Sequence, residues 1–340
     1  MVDAMSIKKY TSWDGSQFRG FVDLGDGFEA DDEGPLAKEA LVFMVVSQNS
    51  NWKVPCGYVF INGLNGAELA NLVKVCIERL HDVGADVTSL TSDGPACNFS
   101  MMNHLGATLK LETLDTSFPN PADPQKKVYV MLDACHMLKL VRNCLGAVGY
   151  LLDEKGDKIE WRYIKELQKI QEREGVHLAN KLRASHIRYE SQKMKVKLAA
   201  QTFSSSVADA IEFCDKTLNL KQFNGSEATV KFIRLINDLF DVLNSRNPLG
   251  KSYKAPLSVT NKSEWEPFLE TAFNYLSRIK TLEGKSIYKT KKKTGFLGLL
   301  IDIASIRRLF HELVESNNAP LKYLLTYKVV FKIRVLYILV

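Results

Sequence analysis

Asp86-Val87-Thr88-Ser89-Leu90-Thr91-Ser92-Asp93-Gly94-Pro95 is the segment on which the fold turns. Its first six residues, with Val87, Thr88 and Thr91 β-branched, read as a strand. Gly94-Pro95 then forces the chain sharply out of the sheet, and residues 96–105 have the character of a short helix. Asp93 thus stands at the carboxyl end of a strand, where open α/β sheets collect their ligands.

The pattern extends in both directions. Upstream, Gly66–Val83 shows helical periodicity, with Leu69, Leu72, Val73, Cys76, Ile77 and Leu80 on one face. Gly84 is placed to stop that helix. Before it, Ala40–Val46 is a continuous apolar run that suits a strand buried on both faces, and Gly57–Ile61 is a further strand. Val2–Lys9 is strand-like, a turn falls at Trp13-Asp14-Gly15-Ser16, and Phe18–Leu24 follows. Two runs joined by Asp-Gly-Ser form a hairpin, which would set Asp23 opposite Ala4 and beside Asp3. Residues 26–35 are an acidic, glycine-rich loop.

Downstream, prolines at 119, 121 and 124 mark a loop, Lys127–Asp133 is the next strand, and a helix begins near Cys135-His136. The order is β-β-β-α-β-α-β-α: an α/β chain whose antiparallel meander is followed by right-handed parallel crossovers, a mixed sheet. The RNase H-like fold has this order, as do several others. Beyond residue 150 the texture is mostly helical. Trp161–Glu174, Ala199–Asn219, Thr229–Leu243, Trp265–Leu282 and Gly295–Glu315 carry helix patterns, and the lysine-rich Lys285–Thr294 has the look of a linker.

Composition sets the bounds. The 340 residues suit two domains, or one with a large insertion. Hydrophobic residues are 46% and charged residues 25%, ordinary for a globular chain and unlike a disordered one. Net charge is +6, which permits a polyanionic partner. The six cysteines form no CxxC pair, so a structural zinc site is not expected. Met1–Lys9 places an acid and two lysines where a signal peptide needs an apolar core. Scattered cysteines fit a reducing compartment, and no apolar run reaches the roughly 18 residues of a membrane span.

The chemistry-bearing candidates are aspartates. Asp3 lies in the first strand, Asp23 in the expected hairpin partner, and Asp93 at a strand end. Such acids, brought together, hold hard cations like Mg²⁺. An aspartate at a strand end is more commonly a turn former or a cap. Cys135 and His136 are adjacent, so they do not face each other on a helix, and a packing role suits them better than nucleophilic catalysis. Asn224-Gly225-Ser226 fits a helix cap better than a phosphate cradle. The basic residues Lys181, Arg183, Arg188, Lys193, Lys195 and Lys197 are either a solvated face or a phosphate-facing one.

Several segments in one order resemble P-element-type transposases, the group that includes THAP-domain relatives. They begin with Asp3–Lys9, Gly20–Gly25, Asn51–Tyr58 and Ser92-Asp93-Gly94. Asp133-Ala134-Cys135-His136-Met137-Leu138-Lys139-Leu140-Val141-Arg142-Asn143, Leu198–Ser204, Ile236–Arg246, Gly295–Leu299 and Tyr323–Lys328 continue the series.

The resemblance implies an RNase H-like catalytic fold interrupted by a mostly α-helical, GTP-binding insertion. Residues 1–145 would be its first part, 146–284 the insertion, 285–328 the return to the core, and 329–340 a divergent tail. It implies a Mg²⁺-binding D-D-E set, with Asp93 as the second acid and Asp3 or Asp23 as the first. Strand geometry favours Asp3 and the family spacing favours Asp23. The third acid has no counterpart: Val329–Val340 contains no Asp or Glu, so strand transfer is expected to be absent or slight. Asp241 and Asn244, three apart and so on one helix face, are the GTP-contact candidates, although helix-surface polar residues have the same look. DNA transposon ends, GTP and a homo-oligomer are the implied partners, with no membrane, and the nucleus is the implied location. The alternative implied by the missing acid is a domesticated, non-enzymatic DNA- or protein-binding module.

Overall fold

The computed structural model describes residues 1–16, 18–25, 34–48 and 50–330. Residues 26–33 of the expected acidic loop and 331–340 of the expected tail lie outside the described residues. The chain divides into two compact units, one of Met1–Asp133 with the chain from Lys328 onward, the other of Ala134–Tyr327.

The first unit contains β1 (Val2–Ser6), β2 (Ser12–Trp13), β3 (Phe18–Arg19), β4 (Glu39–Val46), β5 (Lys53–Ile61), α1 (Gly66–Asp82), β6 (Ser89–Ser92), α2 (Ala96–Leu105), β7 (Ser117–Pro119) and β8 (Lys127–Leu132). One antiparallel ladder runs β1-β4-β5, and a second runs β6-β8-β7, with β6 and β8 parallel. β1 lies alongside β6. The strands therefore succeed one another as β5-β4-β1-β6-β8-β7. β4 is buried over Ala40–Met44, as a strand covered on both faces must be.

The expected hairpin forms only at its tip. Ser12 pairs with Arg19 and Trp13 with Phe18, but the partner of β1 is β4, with Asp3 opposite Val42 and Ala4 opposite Leu41. The reason is burial. β4 is a buried apolar strand of eight residues that needs a partner along its length, and β1 supplies five paired residues where the 18–24 run is interrupted by Arg19, Gly20 and Asp23. Gly20, at φ +113°, brings the chain so close to Tyr10 that a Cβ there would stand 2.0 Å from the Tyr10 carbonyl oxygen. The chain then crosses to the far edge, where Asp23 and Phe60 exchange backbone hydrogen bonds of 2.9 and 2.8 Å.

α1 begins with a capping box. Asn65 Oδ1 accepts from the amides of Ala67 and Glu68, and Glu68 Oε2 accepts from the Asn65 amide at 2.8 Å. It ends at Gly84, φ +80°, in the left-handed conformation glycine tolerates. The proline-marked loop contributes the edge strand β7, with Pro119 at its end, where a missing N–H costs least. Lys328 packs into this unit too: its Nζ donates to the carbonyls of Ser50 at 2.7 Å and Gln48 at 3.3 Å.

The second unit holds α3 (Ala134–Val148), β9 (Tyr150–Leu152), β10 (Lys158–Glu160), α4 (Trp161–Glu174), α5 (Ala184–Ile187), α6 (Val196–Thr202), α7 (Ser205–Glu212), α8 (Glu227–Leu243), α9 (Lys262–Ser277) and α10 (Thr294–Phe310). The single helix expected over Ala199–Asn219 is broken. Thr202 Oγ1 donates to Leu198 O and Ser204 Oγ to Gln201 O, side-chain bonds that compete with helix propagation. The turn buries Phe203 edge-on to Phe232, ring centroids 5.7 Å apart. The stretch expected as a linker is anchored instead: Ile287 is fully buried and the Tyr288 hydroxyl donates to Leu276 O at 2.8 Å. Among the described residues, no helix is long and apolar enough to cross a membrane.

Candidate catalytic and nucleotide sites

In the first unit, the parallel pair β6–β8 is in register from Ser89 with Tyr129 to Ser92 with Leu132. Both strands end in an aspartate, Asp93 and Asp133, and the Asp133 amide donates to Ser92 O at 3.0 Å. Asp93 is half-buried. Its backbone carbonyl accepts from Ser92 Oγ and Asn98 Nδ2, each at 3.1 Å, which holds the strand end in place at the start of α2. Asp3, also half-buried, sits on β1, the strand beside β6.

Asp23 is elsewhere. It is exposed, its Oδ1 accepts from the Gly25 amide at 2.8 Å, and its strand position lies beyond β5. Three strand spacings separate it from β1, roughly 14 Å. The expected juxtaposition of Asp23 with Asp3 required the hairpin that does not form. Among the described residues, no group of three or more His, Cys, Asp or Glu is positioned to hold a metal ion. Two half-buried carboxylates on neighbouring strands nonetheless fit one side of a hard, oxygen-seeking cation that keeps several waters. The sequence already puts Asp133 at the end of a strand. Only the β6–β8 register shows that it ends the strand next to Asp93.

In the second unit, α8 carries Asp241 and Asn244 one turn apart. Asp241 is half-buried, and Lys254 Nζ stands 3.6 Å from its Oδ2. Burial pushes the Asp241 carboxyl up, and Lys254 opposes that shift. Asn244 closes the helix and its Oδ1 accepts from Arg246 Nε at 2.6 Å. The Arg246 guanidinium lies 5.8 Å from the Tyr327 ring centre. The end of α8 therefore gathers a carboxylate, an amide, two cations and an aromatic face. Acceptors for guanine N–H groups and cations for phosphate are the groups a guanine nucleotide needs. The helix pattern carries no signal for Lys254 and Arg246, since both lie beyond the end of α8.

The other candidates take packing roles. Ser226 is fully buried, its hydroxyl donating to Asp215 Oδ2 at 3.4 Å, and the amides of Ser226 and Asn224 donate to Phe223 O and Lys221 O at 3.1 and 3.3 Å. Cys135 and His136 are half-buried on α3. Lys181, Arg183, Arg188, Lys193, Lys195 and Lys197 are all exposed. The buried Arg142 anchors their segment, its Nη2 donating to the carbonyls of Gln192 at 3.0 Å and Lys193 at 3.4 Å.

Residues 1–106 match the family described as TNP-like, RNase H N-terminal domain, and residues 135–256 match the TNP-like, GTP-binding insertion domain. The chain is 33% identical over 330 residues to the DNA transposase THAP9 of Homo sapiens, covering 96% of this chain and 36% of that protein. It is 29% identical over 282 residues to the Transposable element P transposase of Drosophila melanogaster, covering 81% of this chain and 34% of that protein. The chain thus spans about a third of the length of the curated relatives it matches. Its fold is similar to that in the Drosophila P element transposase strand transfer complex, with a TM-score of 0.78 and 24% identity over 97% of this chain and 67% of that chain. With two domain matches in the family's order and relatives aligned along most of its length, this chain is a member of the P-element-type transposase family.

Proposed function

We propose that the chain is the core of a DNA-cleaving and DNA-joining transposase, acting on transposon ends in the nucleus, with a guanine-nucleotide site in its insertion. In this reading residues 1–145 begin the catalytic fold, 146–284 form the insertion and 285–328 return to the core. Within the second unit, Gly295 of α10 packs directly on Met137, Leu140 and Val141 of α3, which supports grouping 285–328 with the last helix of the first part.

The observation that carries the catalytic assignment is the placement of β1 alongside β6. It favours Asp3 over Asp23 as the partner of Asp93. Asp3 stands on a strand flanked on both sides, and Asp93 on a strand end held by Ser92 and Asn98, so neither backbone position has to reorganise on metal binding. Asp3 and Asp93 would hold a Mg²⁺ ion, which would supply activation of a water or a 3′-hydroxyl and charge stabilisation at the phosphodiester. The two aspartates position it and supply negative charge. Residues 329–340 carry no Asp or Glu, and we infer that Asp3 and Asp93 alone hold the cation weakly and support slight or no strand transfer. The same observation favours a second reading, a non-enzymatic module that binds DNA or a protein through this fold.

The test is Mg²⁺ titration calorimetry on the whole chain, paired with a joining assay on short transposon-end duplexes. The expected outcome is weak Mg²⁺ binding that falls at least 10-fold in Asp3→Asn and Asp93→Asn and is unchanged in Asp23→Asn. A chain whose Mg²⁺ affinity ignores Asp93→Asn has no cation site there. Salt-sensitive DNA binding without joining, indifferent to both Mg²⁺ and Asp93→Asn, is the outcome that selects the non-enzymatic module.

For the nucleotide, Asp241 and Asn244 accept from and donate to the guanine edge, and Lys254 and Arg246 face the phosphates. GTP is expected to raise the melting temperature, and Asp241→Asn to weaken GTP by about 10-fold, the cost of one charge-assisted hydrogen bond. An unchanged GTP shift in Asp241→Asn removes that residue from the site. A homo-oligomer belongs to the same reading, and sedimentation with and without DNA tests it.

A further inference from the structure

Cys56 and Cys76 are 20 residues apart in sequence and their sulfurs lie 4.0 Å apart. Two features bring them together. On β4–β5 the register passes from Phe43 with Gly57 to Met44 with Pro55, leaving Cys56 as the extra residue of a β-bulge. A bulge bends the strand and re-aims a side chain. On α1, Cys76 lies on the stripe of Leu69, Val73 and Ile77 that packs inward, but at its half-buried rim. Cys56 itself is exposed, and its Sγ also stands 3.5 Å from Phe43 O.

We propose that Cys56 and Cys76 form a peroxide-sensitive dithiol, a modification site at which Cys56 is oxidised first and Cys76 closes a disulfide between β5 and α1. The two thiols differ in the sense this requires. The Cys76 thiol beside it brings the Cys56 thiol down to about 7, so much of Cys56 is thiolate near neutrality. The same hydrogen bond, reinforced by burial, pushes Cys76 up.

The chemistry balances with a hydroperoxide as oxidant. The Cys56 thiolate attacks the terminal peroxide oxygen: an S–O bond forms, the O–O bond breaks, and the departing oxygen leaves protonated as water or an alcohol. The Cys76 sulfur then attacks the Cys56 sulfur. An S–S bond forms, the S–O bond breaks, and the hydroxide leaves as water with the Cys76 proton. Two electrons pass from the sulfurs to the peroxide. The sulfurs must approach from 4.0 Å to about 2 Å as the bond forms. This site is independent of the metal and nucleotide readings above.

Hydrogen peroxide titration of the whole chain, followed by non-reducing peptide mapping, tests the proposal. The expected product is one peptide pair linked through Cys56 and Cys76, 2 Da lighter, reversed by dithiothreitol, and formed before the exposed Cys97 is oxidised. In Cys76→Ser, dimedone should trap a sulfenic acid on Cys56, and in Cys56→Ser neither product should form. Alkylation of the unmutated protein gives a check free of folding effects: Cys56 labelling should rise with pH through about 7. Oxidation of Cys97 ahead of Cys56, or Cys56 oxidised with Cys76 still a free thiol, overturns it.

Discussion

His186 shows how one buried residue ties pH to stability. It is 2% exposed, its Nδ1 accepts from the Arg183 amide at 3.0 Å, and its Nε2 stands 3.1 Å from Gln201 Oε1. That pairing places the ring proton on Nε2. Burial lowers the His186 pKa, outweighing the bonds to Gln201 and Arg183 that raise it. The sign follows from linkage. Below the unfolded value of about 6.5 the unfolded chain binds a proton the folded ring refuses, so stability falls with pH from there down to the lowered folded value. Chemical denaturation between pH 7.5 and 5 should show a slope of up to about 1.4 kcal/mol per pH unit from this group. His186→Gln should flatten that slope while lowering stability at pH 7.5. An unaltered slope in the variant means that other groups carry it. At the same scale, Asp3 and Asp93 were nameable from sequence, but choosing Asp3 over Asp23 depends on which strand β1 pairs with.

At the scale of elements, α10 seats on α3 through Gly295. A Cβ there would fall 2.8 Å from Leu140 Cβ and 2.9 Å from the Val141 nitrogen. Neither neighbour can move without shifting α3, whose Val141 and Leu138 are fully buried. Gly295→Ala should therefore destabilise by about 1–3 kcal/mol in a urea titration, although alanine is the better helix former. Unchanged stability in that variant rejects the close packing. Elements with a clean apolar period were legible in sequence: α4 spans Trp161–Glu174, the expected bounds. The unbroken helix expected over Ala199–Asn219 failed because periodicity does not register serine and threonine side chains bonding back to the backbone.

At the scale of the molecule, the net charge of +6 and the exposed cations of residues 181–197 bear on the DNA binding proposed above. Each phosphate neutralised contributes about −0.9 to the slope of log affinity against log salt. Replacing Lys193, Lys195 and Lys197 together by glutamine should flatten that slope by about 2–3 if all three meet phosphates. An identical slope in the triple variant makes this run a solvated face only. Arg142 holds the segment from beneath, so the substitutions leave its backbone anchored.

Local composition and period alone determined most of the strand–helix order of the first 133 residues, β7 excepted, the helical character of the second half and the family resemblance. Each of these is written in neighbours a few residues apart. Tertiary structure decided the rest. It paired β1 with β4 because the buried apolar β4 needs hydrogen-bonding partners on both edges. It set Asp133 beside Asp93 through a parallel register built across 40 residues of chain. It brought Cys56 to Cys76 through a bulge that no local pattern announces. Contacts between distant segments depend on which surfaces can be buried together, and that choice is made only when the whole sheet and its covering helices compete for the same core.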